Sequence, residues 1–162
     1  MAIALVRIDD RLIHGQVVEA WLPHLGAQRV LVVSEGAAAD PMQKALMRLA
    51  LPERIGLDVL GLQDARAALP AAASCAEKVL ILAQGPREVL ALLEGGAALP
   101  TVNVGGMHYA AGRVHLGRAV YLGEEDRTAL LEIARRGVRL EGRAVPSEPA
   151  EDITALLRSK EK

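Results

Sequence analysis

Near its start the chain reads Arg7-Ile8-Asp9-Asp10-Arg11-Leu12-Ile13-His14-Gly15-Gln16-Val17, a run that sets four charged residues beside a histidine. These residue types suit phosphoryl transfer. Neutral imidazole is a nucleophile near pH 7, and its phosphorylated form is a reactive donor, so one residue can accept a phosphoryl group and pass it on. His14 is the candidate carrier. Arg7 and Arg11, with backbone N–H groups near His14, Gly15 and Gln16, are the candidates for holding the phosphoryl oxygens. Such transfer asks mainly for positioning and charge stabilisation, which a few groups supply. Asp9 or Asp10 would accept a bond from the second imidazole nitrogen or brace Arg11; a plain helix cap is the alternative role for Asp10. Gly15 would let a phosphate or a partner loop approach closely.

The elements around this run place it at a productive point. Residues 2–7 are nearly all apolar, the pattern of a central strand buried on both faces. Residues 13–25 carry Val17, Val18, Trp21, Leu22 and Leu25 at helical spacing, with Pro23 predicting a kink or early end and Gly26 a stop. His14 therefore sits where a strand hands over to a helix, and the loops at strand C-termini form the crevice of an open α/β sheet. Further strands are expected at 29–33, 57–60, 78–83, 101–104, 119–122 and 138–145. Helices are expected at 41–51 (with Asp40 as N-cap), 63–69, 87–94, 124–136 and 152–157. Residues 107–117 read as a turn or short hairpin, and the alanine-rich 67–76 as a helix end and connection. The alternation calls for an α/β fold, a single domain with a largely parallel sheet and helices on both faces. Two more strand-end residues, Gln84 and His108, are candidates for supporting the site.

Composition narrows the function. At 162 residues, 51% hydrophobic, the chain can bury a sizeable core. Aromatics are 2% and net charge is −1, which disfavours base stacking and a basic nucleic-acid-binding field. One cysteine, Cys75, precludes an internal disulfide; it reads as a small buried residue in a reducing cytosol. No signal peptide and no apolar run near membrane-helix length is visible, so a cytoplasmic protein is expected. No Gly-x-Gly-x-x-Gly, Walker loop or zinc spacing is present, and no metal or cofactor is expected. A protein with this histidine and no nucleotide site would borrow its phosphoryl group from a partner.

The run from Arg7 to Val17 resembles the phosphorylation-site signature of IIB components of the mannose/fructose/sorbose family of the bacterial sugar phosphotransferase system (PTS). Asn103-Val-Gly-Gly-Met-His108, Glu124-Glu125-Asp126 and Arg143-Ala-Val-Pro146-Ser147 resemble later landmarks of that family, so the likeness spans residues 1–162 almost entirely. The resemblance implies an open sheet of about seven strands with the first near its centre. It implies phosphorylation of the δ1 nitrogen of His14 by a IIA protein. The phosphoryl group would then pass to a sugar of the mannose/fructose/sorbose class during uptake through membrane IIC and IID partners, to which the protein would be peripheral. That is a protein-phosphohistidine–sugar phosphotransferase; a homodimer is a further possibility in the family. Leu12, Ile13 and the arginines are the candidates for the docking surface. The alternative function is a regulatory module whose phosphorylation state signals sugar supply without transport.

Overall fold

The computed structural model describes residues 3–74, 76–108 and 110–159; Cys75 lies outside them. The continuous apolar runs form the centre of one sheet, as burial on both faces requires. Strands β1 (Ile3–Asp9), β2 (Arg29–Val33), β3 (Gly56–Leu60), β4 (Val79–Ala83), β5 (Thr101–Gly106), β8 (Arg139–Gly142) and β9 (Glu151–Asp152) are ordered β3-β2-β4-β1-β5-β8-β9. All neighbours pair parallel except β8 with β9. β1 is the middle strand of the seven, so its C-terminal end lies among those of β4 and β5.

Side chains alternate across each strand and feed two cores. One joins Val6, Ile8, Leu31, Ile81 and Val104 to residues of α4 (Leu62–Ser74), α5 (Pro86–Glu94), α6 (Glu124–Arg135) and α7 (Ile153–Ser159). The other joins Val30, Val32, Leu80 and Leu82 to Val17, to α1 (Leu22–Leu25), α2 (Glu35–Ala38) and α3 (Pro41–Ala50). Helices thus cover both faces, as the alternating pattern required.

Departures from the expected elements have local causes. The strand expected at 119–122 does not join the sheet. It forms β7 (Val120–Leu122), which pairs antiparallel with β6 (Val114–Leu116) as a separate ribbon, and the short β9 takes the sheet edge instead. α4 runs through Pro70 into the alanine-rich segment, because alanine's high helix propensity there continues the helix. Before Pro23, which has no N–H to give, the first helix widens into a π-helical segment (Val17–Trp21) in which the Leu22 N–H reaches the Val17 carbonyl. It then ends at Gly26, whose φ of 64° favours glycine. On α3, Asp40 caps the N–H groups of Met42 and Gln43, and Met47 is buried. Met42, Leu46 and Leu49 on the same helix face solvent.

Candidate functional site

The site begins on β1. With Val6 and Ile8 facing the α4–α7 core, alternation turns Arg7 and Asp9 together toward the face covered by the first helix. Both are fully buried. Arg7 gives hydrogen bonds to Asn103 Oδ1 (2.6 Å), Asp9 Oδ2 (3.0 Å) and the carbonyls of Arg143 (2.8 Å) and Ala144 (3.0 Å). Trp21 closes the other side: its ring centroid lies 5.0 Å from the guanidinium carbon, and its indole N–H donates to the Ala144 carbonyl at 2.9 Å. The guanidinium occupies space left by Gly105, where a Cβ would fall among its atoms. Arg7 was expected beside Arg11 as a phosphate ligand. It is instead sealed inside, because a buried carboxylate on the same strand face needs a charged partner. Burial pulls its guanidinium below its usual value, with Asp9 opposing that shift.

Asp9 then works outward. Its Oδ1 accepts the Arg11 backbone N–H (3.1 Å), and its Oδ2 meets His14 Nε2 at 2.8 Å. Burial alone would raise this carboxyl; the His14 hydrogen bond and the Arg7 charge overcome that and hold it below the ordinary range. An ionised carboxylate only accepts, so the proton of this contact belongs to His14 Nε2, and in the neutral ring the lone pair is then on Nδ1. The chain gets there through a tight turn in which the Leu12 N–H returns to the Asp9 carbonyl at 3.0 Å. Leu12 has a φ of 59°, a conformation rare outside glycine, and its side chain is held by burial in the core. That burial corrects the expectation that Leu12 lies on a docking surface. Ile13 is half-buried and Arg11 is exposed.

The His14 carbonyl accepts the N–H groups of Val17 and Val18, both at 3.0 Å, so the helix opens at this residue. The N–H groups of His14, Gly15 and Gln16 make no hydrogen bond among the described residues, which is the usual state of donors at a helix start. Gly15 is exposed, and a Cβ there would meet nothing within 4 Å. Arg11 leans over this start, its Nη2 bonded to Gln16 Oε1 at 3.1 Å. The His14 side chain is 15% exposed. Arg11, Gly15 and Gln16 are therefore brought round the imidazole, and Arg7 is not.

Asp10 does not cap the helix. Its carboxylate takes the His108 backbone N–H (2.7 Å) and the His108 ring nitrogen Nδ1, with Arg113 at 3.8 Å. A second carboxylate–histidine pair thus stands beside the first. Gly106 lies between them: a Cβ there would meet His108 Cε1 at 3.1 Å and Asp9 Oδ1 at 3.4 Å. Gln84 is turned to the Ser34 hydroxyl rather than to His14. Asn103, Trp21 and the 143–144 carbonyls were not foreseen as the cage of Arg7. The available signal was alternation, which puts residue 103 opposite residue 7 once β1 and β5 pair.

A doubly wound α/β sheet with a carboxylate-oriented histidine at the end of its middle strand is the class these features define. Comparison places it further. Residues 3–162 match the model of the PTS system sorbose subfamily IIB component. The chain is 37% identical over 157 residues to the PTS system sorbose-specific EIIB component of Lacticaseibacillus casei, covering 97% of this chain and 96% of that one. It is 36% identical to the PTS system mannose-specific EIIAB component of Escherichia coli (strain K12), matching 92% of this chain and 46% of that longer protein. The crystal structure of the IIBSor domain of the sorbose permease from Klebsiella pneumoniae superposes with a TM-score of 0.90 at 35% identity, over 98% of both chains. The chain belongs to the sorbose subfamily of PTS IIB components. Among the described residues no helix is long and apolar enough to cross a membrane.

Proposed function

We propose that His14 is the phosphoryl carrier of this IIB component. The supporting observation is the Nε2 contact with Asp9 at 2.8 Å, which turns Nδ1 outward as the nucleophile. The Nδ1 lone pair attacks the phosphorus carried by a IIA protein; a P–N bond forms here as the donor's bond to phosphorus breaks. The imidazole then bears positive charge, which Asp9 stabilises through the Nε2 proton. Arg11 and the free N–H groups of Gly15 and Gln16 receive the phosphoryl oxygens. In the second half-reaction a sugar hydroxyl attacks the phosphorus, the P–N bond breaks, the hydroxyl proton is released, and neutral His14 returns.

The sugar is of the class named by the relatives: sorbose, fructose, N-acetylgalactosamine and mannose appear in the names of proteins 33–38% identical to this chain. The acceptor sugar sits in membrane IIC and IID partners, to which this chain docks from the cytoplasmic side. The fused EIIAB relative supports a IIA protein as the donor. Incubation with phosphorylated IIA carrying labelled phosphate should label His14 with an acid-labile phosphate. The His14→Ala variant should take none; label retained by that variant overturns the reading.

A further inference from the structure

A groove of about 770 Å³ lies between α5 and α6 and counts Asp10, the neighbour of the residue that orients His14, among its lining residues. Its apolar lining includes Pro86, Leu90 and Leu131, the leucines half-buried against the core beneath. Glu88, Glu124, Glu125, Asp126 and Glu132 also line it, and with Asp10 they set six acids against three arginines. Some of these acids are committed: Asp126 caps the Gly123 N–H, and Glu132 pairs with Arg135 and Arg136. Glu124 and Glu125 are exposed and make no ion pair among the described residues. Such a lining repels phosphates and sugar phosphates, although two helix starts lie beside it. An apolar floor with an acidic rim fits an amphipathic helical segment whose charged face is basic.

The geometry points to this groove as the docking site for a basic cytoplasmic segment of the membrane permease. Cytoplasmic loops of membrane proteins carry an excess of Lys and Arg, which supplies the complementary charge. A segment seated there reaches Asp10, next in the chain to the Asp9 that holds His14. The inference rests on the phosphocarrier reading and names the surface that reading uses.

The test uses the full chain, phosphorylated IIA, and inverted membrane vesicles containing the IIC and IID proteins of the same system. Two variants, E124K/E125K and Leu131→Ser, change the rim and the floor separately, with E124Q/E125Q as the milder charge change. All three should take label from phosphorylated IIA at a rate within about twofold of the parent. The concentration giving half-maximal sugar phosphorylation should rise about tenfold in E124K/E125K, and less in E124Q/E125Q. Added salt should weaken the parent far more than the charge variants. Unchanged half-saturation with labelling intact overturns the docking site alone. Labelling by IIA that falls in parallel assigns the groove to the donor, and equal sedimentation with vesicles lacking the permease assigns it to lipid; either result overturns the proposal. A parent chain that takes no label removes the phosphocarrier reading and this inference together.

Discussion

Gly105→Ala tests the buried arginine directly. A Cβ at this position would fall among the guanidinium atoms of Arg7; Gly105 is skipped where the β1–β5 register shifts, but Val104 and Gly106 on either side of it are paired with Ile8 and Asp9. Arg7 must therefore move, giving up Asn103, Asp9 and two carbonyls. Breaking a buried ion pair while its charges stay buried costs about 3–5 kcal/mol. At this chain length each kcal/mol lowers the melting temperature by about 2–4 °C, so the variant should melt about 10 °C below the parent. Gly15→Ala is the matched control, since its Cβ meets nothing within 4 Å. It should melt at or slightly above the parent, by the roughly 0.4–1 kcal/mol that reduced chain freedom contributes. Far-UV circular dichroism melts of the three proteins measure both effects. A Gly105→Ala protein melting within a degree or two of the parent would refute the account of Arg7 as a wedged structural cation. Labelling from phosphorylated IIA separates the two glycines again: a slow but stable Gly15→Ala protein shows that the partner needs the open approach there.

Other outcomes follow from the same geometry. Asp9→Asn should slow labelling of His14 about a hundredfold, and nitrogen NMR of the ring should show loss of the single Nε2–H tautomer. Because the folded-state value of Asp9 lies below its ordinary one, its stabilisation is present above about pH 4 and is lost as pH falls through that lower value. The stability gap between the parent and Asp9→Asn should accordingly shrink in denaturant titrations below that pH. Glu88 is pushed up by burial, so its contribution runs the other way, present in acid and lost as pH rises. Glu88→Gln should gain on the parent as pH rises above about 4 in the same titrations. His108→Ala removes a partly exposed pair and should cost no more than about 1 kcal/mol, measured by chemical denaturation.

What the sequence revealed, and what it hid, divides along a physical line. Central parallel strands are buried on both faces, so β1 (up to Val6), β2 (from Val30) and β4 announce themselves as aliphatic runs, and His14 is visible as the residue where the first of them turns into a helix. Short edge elements carry no such signal. Residues 119–122 look as strand-like as residues 139–142, and only the tertiary pairing sends one into a ribbon and the other into the sheet. The roles of the charged residues are harder still. Arg7 and Arg11 look equivalent beside a helix start, yet strand alternation carries to Asp9 and stops there, so Arg7 is turned inward and Arg11 outward.

That division changes the electrostatics round His14. A carboxylate touching the imidazole would by itself repel an arriving phosphoryl group, whereas an Asp9 charge largely balanced by Arg7 from behind orients the ring with little net field in front. The favourable charge seen by the incoming group is then Arg11 and the helix-start N–H groups, all on the side from which a partner can approach. On the proposed phosphocarrier reading, an arginine spent in the interior is part of the chemistry: it would let a buried acid fix the tautomer without discouraging the anion that His14 would receive.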